Sequence, residues 1–393
     1  MSEQEWRDLL ESLVELQDAV AEAEEESLRT REYVRREHFP FLDTRFRLYD
    51  EYLATRRPQQ FMQFVRLLPN EFEDLYESIG GRLQHPSTHA GPINGRQRLM
   101  IYLRFVAFGG TFVSFALAAG CGRETVSAIV AEVTDVIIDE LHEIAFPPLT
   151  RERLQAIANA THDRYDYPRA VGFMDGKHVR IEKPAHSGSS YWNYKNYYSI
   201  ILLAICDCDY RILLYDVGAA GRAGDAGVYR SSAIKEFLDA NDHLFPPTED
   251  LDRVGPVQYH ILVDGGFGQD LRFVRPYRDA EADTPEKRRF NSRHSRARRM
   301  IESTFGILAR RFQILMHPMQ VDPARAARIV KALLILHNLL PRRQDTHGGQ
   351  QGSSEEALHS VERTIAETGA SAAKTARERI TLYYTLRDGP AVE

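Results

Sequence analysis

Cysteine is scarce in this chain. Its 393 residues hold three, Cys121, Cys206 and Cys208. That is too few for a disulfide framework, and their spacing lacks the paired pattern of a cysteine metal site. Such usage fits a reducing cytosol or nucleus. Cys206 and Cys208 alternate along an apparent strand and read as small buried residues. Long apolar runs are missing too. None reaches the length of a membrane span, so no membrane partner is expected. The opening "MSEQEWRDLLESL" lacks a basic n-region and an apolar h-region, so no secretory signal is expected. No internal repeat is visible. With 43% hydrophobic and 27% charged residues the balance is that of a soluble globular protein, long enough for two or three domains.

The formal net charge of −6 seems to argue against nucleic acid, but the two signs are segregated. Residues 1–27 carry a run of acids from Glu3 to Glu26 against Arg7 alone. Residues 287–311 carry Lys287, Arg288, Arg289, Arg293, Arg296, Arg298, Arg299, Arg310 and Arg311 against Glu302 alone. A basic zone this dense is an electrostatic footprint for phosphates. Its plainer alternative is a solvated charged face.

Four regions follow from the texture of the chain. Residues 1–50 begin with an acidic amphipathic helix over 4–26, built on Leu9, Leu13, Leu16 and Val20. Residues 51–150 are helical; within them Asn70 and Glu73 suggest a capping box. Residues 111–135, "TFVSFALAAGCGRETVSAIVAEVTD", place a Gly-containing turn between two helices, the outline of a helix-turn-helix in which Arg123 and Ser127 would face DNA. An ordinary pair of packed helices gives the same pattern. Residues 151–343 turn to β-rich runs, "VGFMDG", "HVRIEK", "YYSIILLAICD", "YRILLYDVG" and "YHILVDGG", mixed with helices over 228–240, 292–313 and "PARAARIVKALLILHNLL". That order predicts an α/β layer fold. Residues 344–393 are a flexible linker, "DTHGGQQGSSEE", and a last helix around "TARERITLYYTL".

Four acids then stand out. Asp175 ends "VGFMDG", Asp264 ends "YHILVDGG", and Asp225 opens a helix in "GRAGDAGVYR". Acids at the carboxyl ends of buried strands are where α/β folds meet ligands, although each alone could be a turn or cap residue. Glu302 sits in "RARRMIESTFGILARRF", residues 296–312. There Ile301, Phe305, Leu308 and Phe312 form the apolar stripe, and Glu302 lies off it. Arg298 precedes Glu302 by four residues, so a simple ion pair is one reading. The small Gly306 and Ala309 beyond it would leave room for something bulky. Clustered carboxylates are hard oxygen ligands for Mg²⁺ or Mn²⁺. Two such ions serve phosphodiester cleavage, with arginines holding the DNA backbone.

The stretches "VGFMDGKHVRIEKP", "SSYWNYKNYYSIILLAICDCDYRILLYDVGAAGRAGDAGVYR", "HILVDGGF" and "ARRMIESTFGILARRFQIL" resemble the catalytic domain of PIF/Harbinger transposases and the harbinger transposase-derived nuclease. The likeness covers roughly 165–340 and extends more weakly to the helical region before it. It implies an RNase H-like catalytic domain, a mixed sheet flanked by helices, behind an all-α region with the helix-turn-helix candidate. It implies a DDE triad on Asp175, Asp264 and Glu302, with Asp225 as a supporting metal ligand. The family often has His or Ser where Gly224 stands, and "DGT" where this chain has "DGK". Lys177 and His178 could meet the scissile phosphate, although His178 also reads as a strand residue with a local hydrogen bond. Arg293, Arg296, Arg298, Arg299, Arg310 and Arg311 would supply backbone contacts. The resemblance further implies a nuclear location, also compatible with cytoplasm, and a Myb/SANT-like partner; a homo-oligomer is a further expectation. Three functions compete: a metal-dependent DNA endonuclease or transposase, a domesticated inactive DNA-binding protein with the same fold, and a metal phosphohydrolase for small substrates. The basic helix and the helix-turn-helix candidate disfavour the last.

Overall fold

The computed structural model describes Thr55 and residues 57–86, 92–341 and 370–390. The acidic segment 4–26 and the linker "DTHGGQQGSSEE" lie outside the described residues. Five helices open the described chain: α1 (Pro58–Val65), α2 (Pro69–Ile79), α3 (Gly95–Phe108), α4 (Phe112–Ala119) and α5 (Arg123–Ala145). The cap of α2 differs from the sequence expectation. Pro69 keeps Leu68 in an extended conformation and starts the helix two residues earlier. Glu71, not Glu73, therefore reaches back to the Leu68 N–H, at 2.7 Å, while Glu73 pairs with Arg96.

After α6 (Arg151–Tyr165) the chain enters a five-stranded mixed sheet. Its strands are β1 (Ala170–Arg180), β2 (Ser199–Cys206), β3 (Ile212–Ala220), β4 (His260–Leu262) and β5 (Phe273–Val274). Their spatial order is β3-β2-β1-β4-β5. The first three pair antiparallel, and β4 and β5 run parallel to β1. Every residue of β2, "SIILLAIC", is buried, as a strand inside a sheet covered on both faces requires. Between β3 and β4 lie α7 (Asp225–Arg230) and α8 (Ala233–Ala240). The single helix expected over 228–240 is thus two, split where Ser232 caps α8. The short β5 had no counterpart among the sequence expectations.

One face of the sheet packs Val171, Met174, Ile205 and Ile261 against Leu154 and Ile157 of α6 and Leu238 of α8. The other face packs Phe173, Leu202 and Leu262 against α9 (Pro285–Arg311) and α10 (Pro323–Leu339). This second core continues through the first helices without a break, from Phe61 to Tyr384. The last helix, α11 (Ala370–Asp388), lies along α9. Arg293 of α9 stacks 4.2 Å from the Tyr384 ring and pairs with Asp166 and, at 2.7 Å, with Asp388. Among the described residues no single helix is long and apolar enough to cross a membrane.

Candidate active site

Asp175 does not end a strand. The two runs read as "VGFMDG" and "HVRIEK" are one strand, β1, and Asp175 sits in its middle opposite Ala204. Asp264 does follow a strand, two residues beyond β4. Register puts the two acids at one end of the sheet: Phe173 pairs with Leu262 in parallel, and each acid lies two residues further along its own chain. Side chains alternate along strands. Phe173 belongs to the core beneath α9, and so Asp175 also projects toward α9.

That helix supplies the third acid. Phe290, Ala297, Ile301, Phe305 and Leu308 bury one side of α9. The opposite side exposes Arg296, Arg299, Glu302, Gly306 and Arg310 as one stripe. Arg298 stands between the two sides and turns inward. Its Nη1 donates to Asp175 Oδ2 at 3.2 Å and its Nη2 to Glu302 Oε1 at 2.6 Å. One guanidinium thus joins two of the candidate acids across strand and helix. The ion pair anticipated between Arg298 and Glu302 is present, but it is half of a bridge. The sequence signal for Arg298 was its i,i+4 spacing; nothing in the sequence pointed to Asp175. A Cβ built at Gly306 would meet nothing within 4 Å, so the helix face past Glu302 is open. Ala309 is buried and does not share that opening.

The neighbouring side chains are largely buried or committed. Lys177, on the same face as Asp175, lies with its Nζ 6.0 Å from the Phe305 ring. Burial, and then the charge of Lys195, hold its ammonium below the usual range. His178 points to the other face. Its Nδ1 is 2.9 Å from Ser199 Oγ, the local hydrogen bond of the second reading, and burial with Lys195 pushes its pKa down to about 4. Asp225 opens α7 directly after Gly224, whose φ of 64° and ψ of 153° belong to a region that only glycine adopts readily. His294, unremarked in the sequence, is fully buried on α9, and its Nε2 donates to the Val274 carbonyl at 3.0 Å. The charge of Asp264 is felt there.

His294 and its buried neighbour His260 make stability pH-dependent. Burial first of all, then the opposing bonds to Val274 and Gln258 carbonyls and the repulsion of nearby arginines, leave both with pKa values of about 4. The folded values lie below the unfolded one near 6.5, so their contribution is complete above that pH and is lost as pH falls toward 4. Between pH 7 and pH 5 each should cost roughly 2 kcal/mol. Denaturant midpoints measured at the two pH values should separate accordingly; coincident midpoints would refute buried neutral histidines.

Of the arginines expected on phosphates, Arg293 and Arg298 are committed inside the protein, and Arg311 Nη2 donates to the Pro341 carbonyl at 2.6 Å. Arg296, Arg299 and Arg310 face outward beside Glu302. Helices α4 and α5 meet at 101° around Gly120, whose φ of 57° turns the chain. Arg123, at the start of α5, is exposed, whereas Ser127 accepts from Arg325 Nη1 at 2.9 Å and ties α5 to α10. The carboxylates are hard oxygen donors that already share a cationic partner, the chemistry a divalent ion would use. Among the described residues no three acid, His or Cys side chains converge closely enough to hold an ion.

Comparison with known proteins gives a family model and several relatives. Residues 174–338 match the family model described as DDE superfamily endonuclease. The chain is 25% identical over 295 residues to Putative nuclease HARBI1 of Bos taurus, covering 74% of this chain and 77% of that protein. The same protein of Homo sapiens gives the same identity and coverage. The Arabidopsis thaliana protein named Antagonist of Like Heterochromatin Protein 1 is 23% identical over 249 residues, 62% of each chain. No solved structure matches. The matched span holds Asp175, Asp264 and Glu302, and the chain as a whole is similar over about three quarters of its length to proteins named as putative nucleases.

Proposed function

We propose that this protein is a divalent-metal-dependent DNA endonuclease or transposase of Harbinger type, with an RNase H-like catalytic fold. The observation that carries the reading is the pairing of acids from two separate elements: Asp175 of β1 and Glu302 of α9 share one guanidinium, with Asp264 just beyond the adjoining β4. Asp175, Asp264 and Glu302 would hold the metal, Mg²⁺ or Mn²⁺, with Asp225 as a further ligand. Bound there, such ions activate water and stabilise the leaving oxygen of a phosphodiester. The chain's own part is to align the acids, to withdraw Arg298 from between them, and to leave the face past Gly306 open for the backbone. Conversion of supercoiled plasmid to nicked circles, dependent on Mg²⁺, tests the reading directly; a folded protein that never nicks would overturn it.

Arg296, Arg299 and Arg310 are the phosphate contacts this reading needs. Each phosphate neutralised contributes about −0.9 to the slope of log affinity against log salt, so Arg296→Ala with Arg299→Ala should flatten the slope by roughly 2. Arg293→Ala removes an internal ion pair instead, and should lower stability with the slope retained. Equal slopes in wild type and the double variant would reduce the stripe to a solvated face. Arg123 at the head of α5 would add a second DNA contact, the part of the helix-turn-helix reading left open by the bond of Ser127 to Arg325.

A catalytically silent DNA-binding protein is the second reading. The bridge from Arg298 to Asp175 and Glu302 favours it, because a permanent bridge would exclude metal. Nicking separates the two. A Myb/SANT-like partner, self-association and a nuclear location complete the proposal by family likeness.

A further inference from the structure

The connection between β1 and β2, residues 181–198, has no part in the chemistry above. From Lys183 to Ser199 it contains no Asp or Glu, and five of the eight residues from Tyr191 to Tyr198 are aromatic. Two of these rings face water: Trp192 is 41% exposed and Tyr194 60%. Large exposed rings in a folded loop mark a surface with a use.

The loop is rigid by construction. Asn193, buried between the two rings, accepts from the Lys195 N–H at 2.9 Å and the Tyr197 N–H at 3.3 Å. Its Nδ2 donates to Ser199 Oγ at 2.8 Å, the hydroxyl that also meets His178. Trp192 packs edge-on against Tyr198 with centroids 4.9 Å apart, and Tyr194 against His178 at 5.5 Å. The rings are therefore fixed before anything binds, which lowers the entropic cost of binding.

Cations flank the rings. Lys195 Nζ lies 5.5 Å from the Tyr194 ring, and the Arg180 guanidinium 4.2 Å from that of Tyr197. The loop continues from the strand that carries Asp175. It leaves β1 at Arg180, five residues past Asp175, and the charge of Lys195 reaches Lys177. Arg222, just ahead of α7, donates its N–H to the Ser190 carbonyl at 3.3 Å and its Nη1 to Ser189 Oγ at 3.2 Å.

Flat exposed rings beside cations, in a segment free of acids, suit a polyanion that carries π faces, namely a nucleic acid strand. Inside a duplex those faces are hidden by stacking, so the ligand must be a nucleotide out of the stack. We propose that residues 191–198 are a stacking platform for an unpaired base of the DNA that the protein cuts. Trp192 and Tyr194 take the base, and Lys195 takes the adjoining phosphate. This deepens the DNA-cleavage reading and rests on it.

The test uses the full chain, with Ca²⁺ in place of Mg²⁺ to prevent cutting, and two labelled DNAs of one sequence, a blunt duplex and a duplex with a forked end. Trp192→Ala and Tyr194→Ala should each weaken binding to forked DNA by about tenfold or more, and to blunt duplex by less than about twofold. Trp192→Phe keeps a ring and should bind forked DNA like wild type, which separates lost stacking from lost folding. Equal losses on the two DNAs, or no loss on either, would overturn the platform, the latter pointing to a protein partner for these rings. Wild-type protein that nicks plasmid but does not distinguish the two DNAs would overturn the platform alone. Wild-type protein that binds neither would overturn the nuclease reading with it.

Discussion

Asp175→Asn, Asp264→Asn and Glu302→Gln should each abolish plasmid nicking, by on the order of a thousandfold or more, equivalent to about 4 kcal/mol in the barrier. Each substitution keeps size and shape and removes the charge a hard divalent cation requires. Folding gives no competing explanation. Glu302 is half-exposed, and its pair with Arg298 is a surface-type contact whose loss costs a few tenths of a kcal/mol. Duplex binding should survive or tighten, because a negative charge facing phosphate is gone. Asp225→Asn should be intermediate to severe. Ca²⁺ should support binding but little cleavage, since its looser coordination does not fix an in-line geometry. The decisive measurement is nicking by a folded Glu302→Gln protein. Full activity there would remove Glu302 from the triad and return it to the ion-pair reading.

The largest structural effect is expected far from the acids, at Asn338. This side chain is buried near the end of the apolar helix α10. Its Oδ1 accepts from the Ile212 N–H at 2.9 Å, and its Nδ2 donates to the carbonyls of Ile212, at 2.8 Å, and Ala145, at 3.1 Å. Ile212 starts β3 at a register shift, where the neighbouring strand cannot serve both of its backbone groups. Asn338→Leu fills the space yet strands three buried backbone groups, each costing roughly 1–3 kcal/mol. A loss of about 3 kcal/mol or more is expected, lowering Tm by roughly 10 °C. A thermal melt within about two degrees of wild type would show that water replaces the amide there.

Asn338 also marks the limit of what the sequence discloses. In "LLILHNLL" it looks like one polar residue in a buried helix, because its partners lie more than a hundred residues away. Local patterns were legible wherever one element explains them. The continuous apolar run of β2 announced a strand covered on both faces, and the stripe through Ile301, Phe305 and Leu308 placed Glu302 on the outer side of α9. What was not legible depended on pairing. Asp175 read as a strand end because Gly176 follows it, yet β1 continues through that glycine opposite Leu203. Arg293 and Arg298 read as phosphate contacts because composition cannot show Asp166, Asp388 or Asp175 arriving from elsewhere in the fold. The acids themselves stood out at strand ends and on the basic helix, and the resemblance supplied their roles. That the strands leading to Asp175 and Asp264 are parallel neighbours is a pairing that no single strand encodes.

The Arg298 bridge has a thermodynamic consequence. Two carboxylates held close together without a cation repel one another, and in many metal proteins that repulsion makes the empty form unfold. Here a guanidinium that stays charged at any ordinary pH offsets part of the repulsion between Asp175 and Glu302 from within. On the proposed reading, loading the site would be an exchange of one cation for another. The apparent affinity for a divalent ion would then measure the difference between the two, and a chelator would return the protein to a folded resting state.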